Sequence, residues 1–214
     1  MIDLFSLLSI GIAFFVIAVS PGPANISNAT IAMSKGRRTS LIYGAGLSTG
    51  LVFWGVVAAS GMGAILQSSV YLLMSLKVFG GLYLLRLAFL SAKESMKPNS
   101  ANLGMIDETF SDKKWFLRGV IMNISNPKTV IAWMAALSVG LGSNDGILSI
   151  ISGLVVCIIV GFATNAIYSI CFSYHGVMNW YQRASRWING ATSFLFTIAG
   201  IGLLRSAFNR STVS

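Results

Sequence analysis

Two short stretches of the chain combine prolines, which interrupt helices, with side-chain amides. The first is Ser20-Pro21-Gly22-Pro23-Ala24-Asn25, with Asn28 one turn further on. The second is Asn123-Ile124-Ser125-Asn126-Pro127-Lys128. Proline lacks a backbone N–H and clashes with the turn before it. Gly22 adds backbone freedom between Pro21 and Pro23. Backbone groups freed in this way inside a bilayer must be satisfied by protein, water or ligand. A helix starting near Ala24 presents its first N–H groups at the break, which favours a carboxylate. Asn25 and Asn28 share one helix face, as do Asn123 and Asn126, and an amide both donates and accepts. Lys128 adds a cation that can neutralise a carboxylate or bind exposed carbonyls. The two stretches read as a binding site for a small ligand. The bland alternatives are structural kinks, interhelical amide hydrogen bonds worth about 0.6 kcal/mol each, and a Lys128 that snorkels to an interface.

Helices in a membrane must position these residues. Of the 214 residues, 55% are hydrophobic and 10% charged, and the mean hydropathy is +0.75. Soluble domains carry about 25% charged residues, so a water-soluble globule is excluded, and disorder with it. At about 20 apolar residues per span, the content suits roughly six transmembrane helices. The runs are Ile2–Ser20, a span within Ser40–Leu66, Val70–Leu90, Phe116–Leu141 with an interruption at Asn126-Pro127, Ile147–Phe172, and Trp187–Leu204. One straight helix over Ile2–Ser34 would be about 50 Å long, well beyond a hydrocarbon core of about 30 Å. A break at Pro21–Pro23 resolves that length. The first run fits a cleaved signal badly, because Asp3 stands where a basic segment is expected.

The net charge is +9, from 15 basic and 6 acidic residues. It reads as loop charge beside anionic lipid rather than as a nucleic-acid surface. Lys35, Arg37 and Arg38 follow the first span; Lys93, Lys97, Lys113, Lys114 and Arg118 lie in the central linker region; Arg183 and Arg186 follow the fifth span. The positive-inside rule places these loops in the cytoplasm and both termini outside; Arg205 and Arg210 in the tail oppose it weakly. Lys93–Lys114 holds four of the six acids. Residues 93–114 are therefore expected to form a cytoplasmic polar linker between two three-helix units, 1–92 and 115–214. A shift of 104 residues lays Pro23 on Pro127, Ala32 on Ala136, Ser34 on Ser138 and Gly36 on Gly140. Three spans per unit invert the second copy. The expected fold is all-α and integral to the membrane, with six transmembrane helices as two inverted repeats, helices 1 and 4 being broken. That is an architecture of secondary transporters.

Several motifs in order resemble the lysine exporter/homoserine–threonine resistance (LysE/RhtB) family. They are Ser20-Pro21-Gly22-Pro23-Ala24-Asn25, Ser34-Lys35-Gly36-Arg37-Arg38, Leu76-Lys77-x-x-Gly80-Gly81-x-Tyr83-Leu84, and Phe116-Leu117-x-Gly119 with Asn123-x-x-Asn126-Pro127-Lys128. The resemblance implies a bacterial inner-membrane exporter of amino acids driven by the proton gradient. The chain departs from many members in carrying Ala24, where they have an acid after Pro-Gly-Pro. It departs from the lysine and arginine branch at Ser48-Thr49, where that branch has an acid. A charge at mid-bilayer costs about 2.5–3.5 kcal/mol, and a cationic substrate would want a carboxylate partner. The expected substrate is therefore a neutral, threonine- or homoserine-like amino acid, whose ammonium and carboxylate suit the amides.

The expected substrate-binding residues are Pro21, Gly22, Pro23, Asn25, Asn28, Thr49, Asn123, Asn126, Pro127, Lys128 and Asn165. Thr49 and Asn165 enter as mid-span polar groups. Lys77 and Arg86 read as snorkelling, Gly46-x-x-x-Gly50 as close helix packing, and Trp115, Trp180 and Trp187 as interface anchors. Trp54 and Trp133 lie deeper, with packing preferred over a cavity role. Cys157 and Cys171, fourteen residues apart in one run, would be about 21 Å apart on a helix, too far for a disulfide. His175, the single histidine, has no cysteine or acid at metal-ligand spacing. No phosphate-binding motif and no activated nucleophile is visible. No enzyme activity, metal or cofactor is expected. The expected partners are a small-molecule amino acid and membrane lipid, without nucleic acid; a homo-oligomer stays open. The alternative reading is a passive small-solute channel or a structural membrane subunit.

Overall fold

The computed structural model describes residues 4–68, 70–96, 110–140, 147–174 and 176–208. The described residues form helices and no strand. In chain order these are α1 (Leu4–Val19), α2 (Pro23–Ser68), α3 (Val70–Ser95), α4 (Asp112–Ile124), α5 (Pro127–Gly140), α6 (Ile147–Cys171) and α7 (Val177–Phe208). His175, Arg210 and most of the expected linker lie outside the described residues.

The prolines act as their chemistry requires. Pro23 and Pro127 are each the first residue of a helix, the position where a missing N–H costs least. The first hydrophobic run thus ends at Val19 and a new helix starts four residues later. The fourth run likewise divides into α4 and α5. Helix α2 is itself bent at Gly36, whose φ of 83° and ψ of 173° interrupt the helical path. This left-handed φ favours glycine. The bend separates an arm over 23–35 from a long arm over 37–68. The shift of 104 residues carries Pro23 onto Pro127, the first residue of α5.

Among the described residues, three stretches are long and apolar enough to cross a membrane: Pro23–Gly61, Ile147–Cys171 and Arg183–Phe208. Leu4–Val19 and Lys128–Leu137 are shorter apolar helices. Large apolar side chains cover much of the exterior, among them Phe5, Phe79, Phe89, Ile159 and Phe194. In water such a surface would be a liability; against lipid it is solvated. The chain is a multi-pass membrane protein.

The most extensive helix contacts run between residues before 96 and residues after 110. Helix α3 packs on α7, α2 packs on α4 and α6, and α1 packs on α5 and α6. The main core joins Ile10, Phe14 and Ile17 of α1 to Trp133 and Leu137 of α5 and Cys157 of α6. The Phe14 and Trp133 rings lie 4.9 Å apart. Cys157 is buried and Cys171 exposed, both as free thiols.

Glycine sets the spacing of two of these contacts. A Cβ at Gly46 would fall 2.0 Å from the Phe116 carbonyl oxygen, and one at Gly119 would fall 2.2 Å from that of Tyr43. Gly50 faces Val120 and Asn123 in the same seam, so the Gly46-x-x-x-Gly50 motif is a packing surface. Gly81 and Gly200 do the same for α3 and α7, each Cβ position lying 3.0 Å from the other's carbonyl oxygen.

Two expectations are corrected. Lys77 does not snorkel: its side chain is buried in the bundle. Trp115 is not an interface anchor: it is buried with Tyr43 and Leu47 and packs edge-on against Phe110. Both belong to helix faces that another helix covers, which spacing along one helix does not reveal. Trp180 and Trp187 are exposed.

The α2–α4 seam gives a direct test. Gly119→Ala and Gly46→Ala should each cost about 1–3 kcal/mol through forced separation of backbones. They should lower the thermal midpoint of detergent-solubilised protein. Gly61→Ala, whose Cβ meets nothing within 4 Å, should leave it unchanged or raise it.

Candidate functional site

The two helix breaks meet. Between them lies a cavity with about 50 Å³ of space open to the centre of a water molecule. From the first break come Gly22 and Asn25; from the second come Asn123, Asn126 and Lys128; from α6 comes Asn165. Phe14, Ile17 and Leu51 supply apolar wall.

The broken end of α1 explains most of the local geometry. A helix that stops leaves its last carbonyls without intrahelical partners. Here side chains take them. Ser20 Oγ donates to Ile17 O at 2.7 Å. Asn25 Nδ2 donates to Ala18 O at 2.6 Å and to Ser20 O at 2.9 Å. The Tyr168 hydroxyl donates to Val19 O at 2.7 Å, and Lys128 Nζ donates to Ser20 O at 2.7 Å. Gly22 makes room for this lysine, since a Cβ there would lie 3.1 Å from Nζ.

The second break is closed by shorter means. Asn126 N–H donates to Asn123 O at 3.0 Å, and Asn126 Oδ1 accepts from Lys128 N–H at 3.1 Å. Trp54 Nε1 donates to Ile124 O at 3.0 Å. One group is left over. Asn123 Oδ1 is buried with no hydrogen-bond partner among the described residues. An unmade bond there costs about 1–3 kcal/mol, so the atom is an acceptor in search of a donor.

Beside the cavity runs a buried polar network. Asn28 Nδ2 donates to Asn165 O and to Ser169 Oγ, each at 3.1 Å. Ser40 Oγ donates to Asn28 Oδ1 at 2.8 Å, and Asn165 Nδ2 donates to Ser48 Oγ at 2.9 Å. These bonds tie both arms of α2 to α6 around the Gly36 bend.

The LysE type translocator family matches residues 15–207 of this chain. The chain belongs to the LysE family. Its relatives include the threonine efflux protein of Escherichia coli K12, 26% identical over 201 residues, covering 93% of this chain and 97% of that protein. The threonine efflux protein of Salmonella typhi is 26% identical over 199 residues, covering 92% and 97%. The homoserine/homoserine lactone efflux protein of Salmonella typhimurium is 29% identical over 122 residues, covering 57% of each chain. No solved structure matches the chain. As a LysE family translocator the protein is a transporter and not an enzyme.

In this LysE translocator the sequence-derived residues fall into three groups. Gly22, Asn25, Asn123, Asn126, Lys128 and Asn165 line one cavity. Pro21, Pro23 and Pro127 shape the breaks, Pro23 being exposed. Asn28 and Thr49 are not brought to the cavity. Asn28 is completely buried and its amide is spent on the network. Thr49 is exposed, and its hydroxyl donates to Ala45 O of its own helix at 3.0 Å. Sequence reasoning missed Thr129 and Thr164, which line the cavity, and Tyr168, which caps α1. Thr129 and Thr164 sit directly beside Lys128 and Asn165, so adjacency was the available signal. Nothing in the sequence marks Tyr168, which lies 149 residues from the carbonyl it caps.

Tyr168→Phe keeps the ring stacked on Phe172 and removes the hydroxyl that donates to Val19 O. It should lower stability by about 1–3 kcal/mol, read as a reduced thermal midpoint in detergent, with insertion into the membrane unchanged.

Proposed function

We propose that this protein exports a neutral, threonine- or homoserine-like amino acid from the cytoplasm across the bacterial inner membrane. The observation that carries the reading is the pairing of Lys128 with the unpartnered Asn123 Oδ1 in one cavity. An ammonium and a carboxylate on one small molecule would satisfy both. The carboxylate binds Lys128 Nζ and the first-turn N–H groups of α2; the ammonium donates to Asn123 Oδ1. Asn25, Asn126 and Asn165 fix the orientation, with Thr129 and Thr164 available to a substrate hydroxyl. No acid lines the cavity among the described residues, which supports a neutral side chain over a cationic one. The efflux names of the relatives support the same class.

The transport cycle in this reading is alternating access between two inverted repeats, 1–92 and 115–214, joined by a cytoplasmic linker. Matching breaks at Pro23 and Pro127 support the repeat. Ligand pockets run to roughly 300–1,000 Å³, so a cavity this small must open to admit substrate. Proton antiport belongs to the reading through the family resemblance. Lys128 is the one ionisable residue in the lining and so the point where carboxylate binding and charge movement meet.

Efflux of radiolabelled threonine and homoserine from loaded cells, and uptake by everted vesicles with and without a pH gradient, test the proposal. Asn123→Leu, Asn126→Ala and Lys128→Met should each reduce transport at least about tenfold, the effect of 1.4 kcal/mol, at normal membrane abundance. Wild-type rates in all three would place the site elsewhere. Tolerance to lysine or arginine alone would overturn the neutral-substrate reading, and flux indifferent to the gradient would favour a passive channel.

Reporter fusions after Lys97 and after Ser214 should report opposite sides of the membrane, with Lys97 in the cytoplasm. A cytoplasmic C-terminus would reject the six-span topology or its orientation.

A further inference from the structure

The cavity at the helix breaks has a lining of two kinds. Amides, hydroxyls and Lys128 supply its polar part, and Phe14, Ile17, Leu51, Ala132 and Gly161 belong to the rest. The ammonium and carboxylate of an amino acid take polar groups, so the carbon chain is left to the apolar wall. Phe14 is committed to the Trp133 ring. Ile17 also lines a second, larger groove, of about 710 Å³ among α1, α3, α5 and α7, so it divides two spaces rather than closing one. Leu51 does neither.

Leu51 and Gly161 meet within this wall. A Cβ at Gly161 would lie 2.7 Å from Leu51 Cδ1 and 3.1 Å from Cδ2, so the leucine side chain rests on bare backbone of α6. The leucine backbone is held as well: Leu51 O accepts from Trp133 Nε1 at 3.0 Å, and Trp133 is completely buried. Both residues stand in unbroken helix, Leu51 in the arm over 37–68 and Gly161 in α6, whereas Asn25, Asn123 and Asn126 stand at the breaks. Thr164, three residues along α6 from Gly161, lines the cavity too. Room freed at Leu51 therefore joins the cavity instead of remaining a closed void.

We propose that Leu51, seated on Gly161, sets the upper size of the side chain that this transporter accepts. Its isobutyl group fills the room that an amino acid larger than threonine would need. The assignment rests on the export reading above and adds a specificity-determining residue to it. One methylene in an apolar pocket is discriminated by roughly 10- to 200-fold, so a single leucine suffices to separate threonine from leucine as substrates.

Uptake of radiolabelled threonine and of radiolabelled leucine by everted vesicles tests it, read as the ratio of the two fluxes, which a lower abundance of protein does not move. The wild type should favour threonine at least about tenfold. Leu51→Ala should raise the leucine-to-threonine ratio about tenfold or more. Leu47→Ala removes the same atoms one turn earlier on α2, where the side chain is completely buried in the cluster with Tyr43 and Trp115 and outside the cavity lining; it should leave the ratio unchanged. Equal fluxes in the wild type, a ratio unmoved by Leu51→Ala, or one moved as far by Leu47→Ala would overturn the proposal and leave the export reading standing. Vesicles that carry no amino acid at all would sink the export reading and this assignment with it. Should Leu51→Ala fail to reach the membrane, Leu51→Val decides: a smaller rise is expected, and an unchanged ratio overturns the proposal.

Discussion

The structure depends on what becomes of the carbonyl groups at the end of α1. In a bilayer an open helix end has no water to bond, and each bare carbonyl is costly. This chain covers four in succession, from Ile17 to Ser20, with side chains from Ser20, Asn25, Tyr168 and Lys128. Those donors come from the break itself, from α2, from α6 and from α5. A single local problem therefore fixes the relative positions of four helices. It also draws a lysine and an amide to the helix break, beside the cavity that both breaks line.

That arrangement would not survive with loosely spaced helices. The glycines of the α2–α4 and α3–α7 seams bring backbones within reach of each other. Side chains as short as asparagine can then span the gaps, as Asn28 and Asn165 do between α2 and α6. Because the largest contacts join the first half of the chain to the second, neither half buries its own faces. The two halves form one packed unit, and the cavity lies where their breaks face each other.

The two cavities differ in size and lining. The one at the breaks is small, and the side-chain amides of Asn25, Asn123, Asn126 and Asn165 stand in its lining beside apolar wall. The groove among α1, α3, α5 and α7 is larger and mostly apolar in its lining. Ser9, Lys77 and Ser206 are the polar side chains in its described lining.

Composition alone determined that this is a helical membrane protein, because 10% charged residues cannot solvate a globule of this length. The breaks at Pro23 and Pro127 were legible for an equally local reason: proline acts on its own turn of helix. Six of the residues that line the cavity at the breaks, from Gly22 to Asn165, stood out in the sequence because polar groups and helix breakers are scarce in it. Tertiary structure alone decided which face of each helix is covered. It put Asn28 into a hydrogen-bonded network, left Thr49 exposed, buried Lys77 and Trp115, and brought Tyr168 to the end of α1. None of these outcomes follows from spacing along one helix, because each depends on which neighbouring helix lies opposite and at what distance. That pairing comes from contacts between residues far apart in the chain, such as Trp115 with Tyr43 and Tyr168 with Val19, to which periodicity along a single helix is blind.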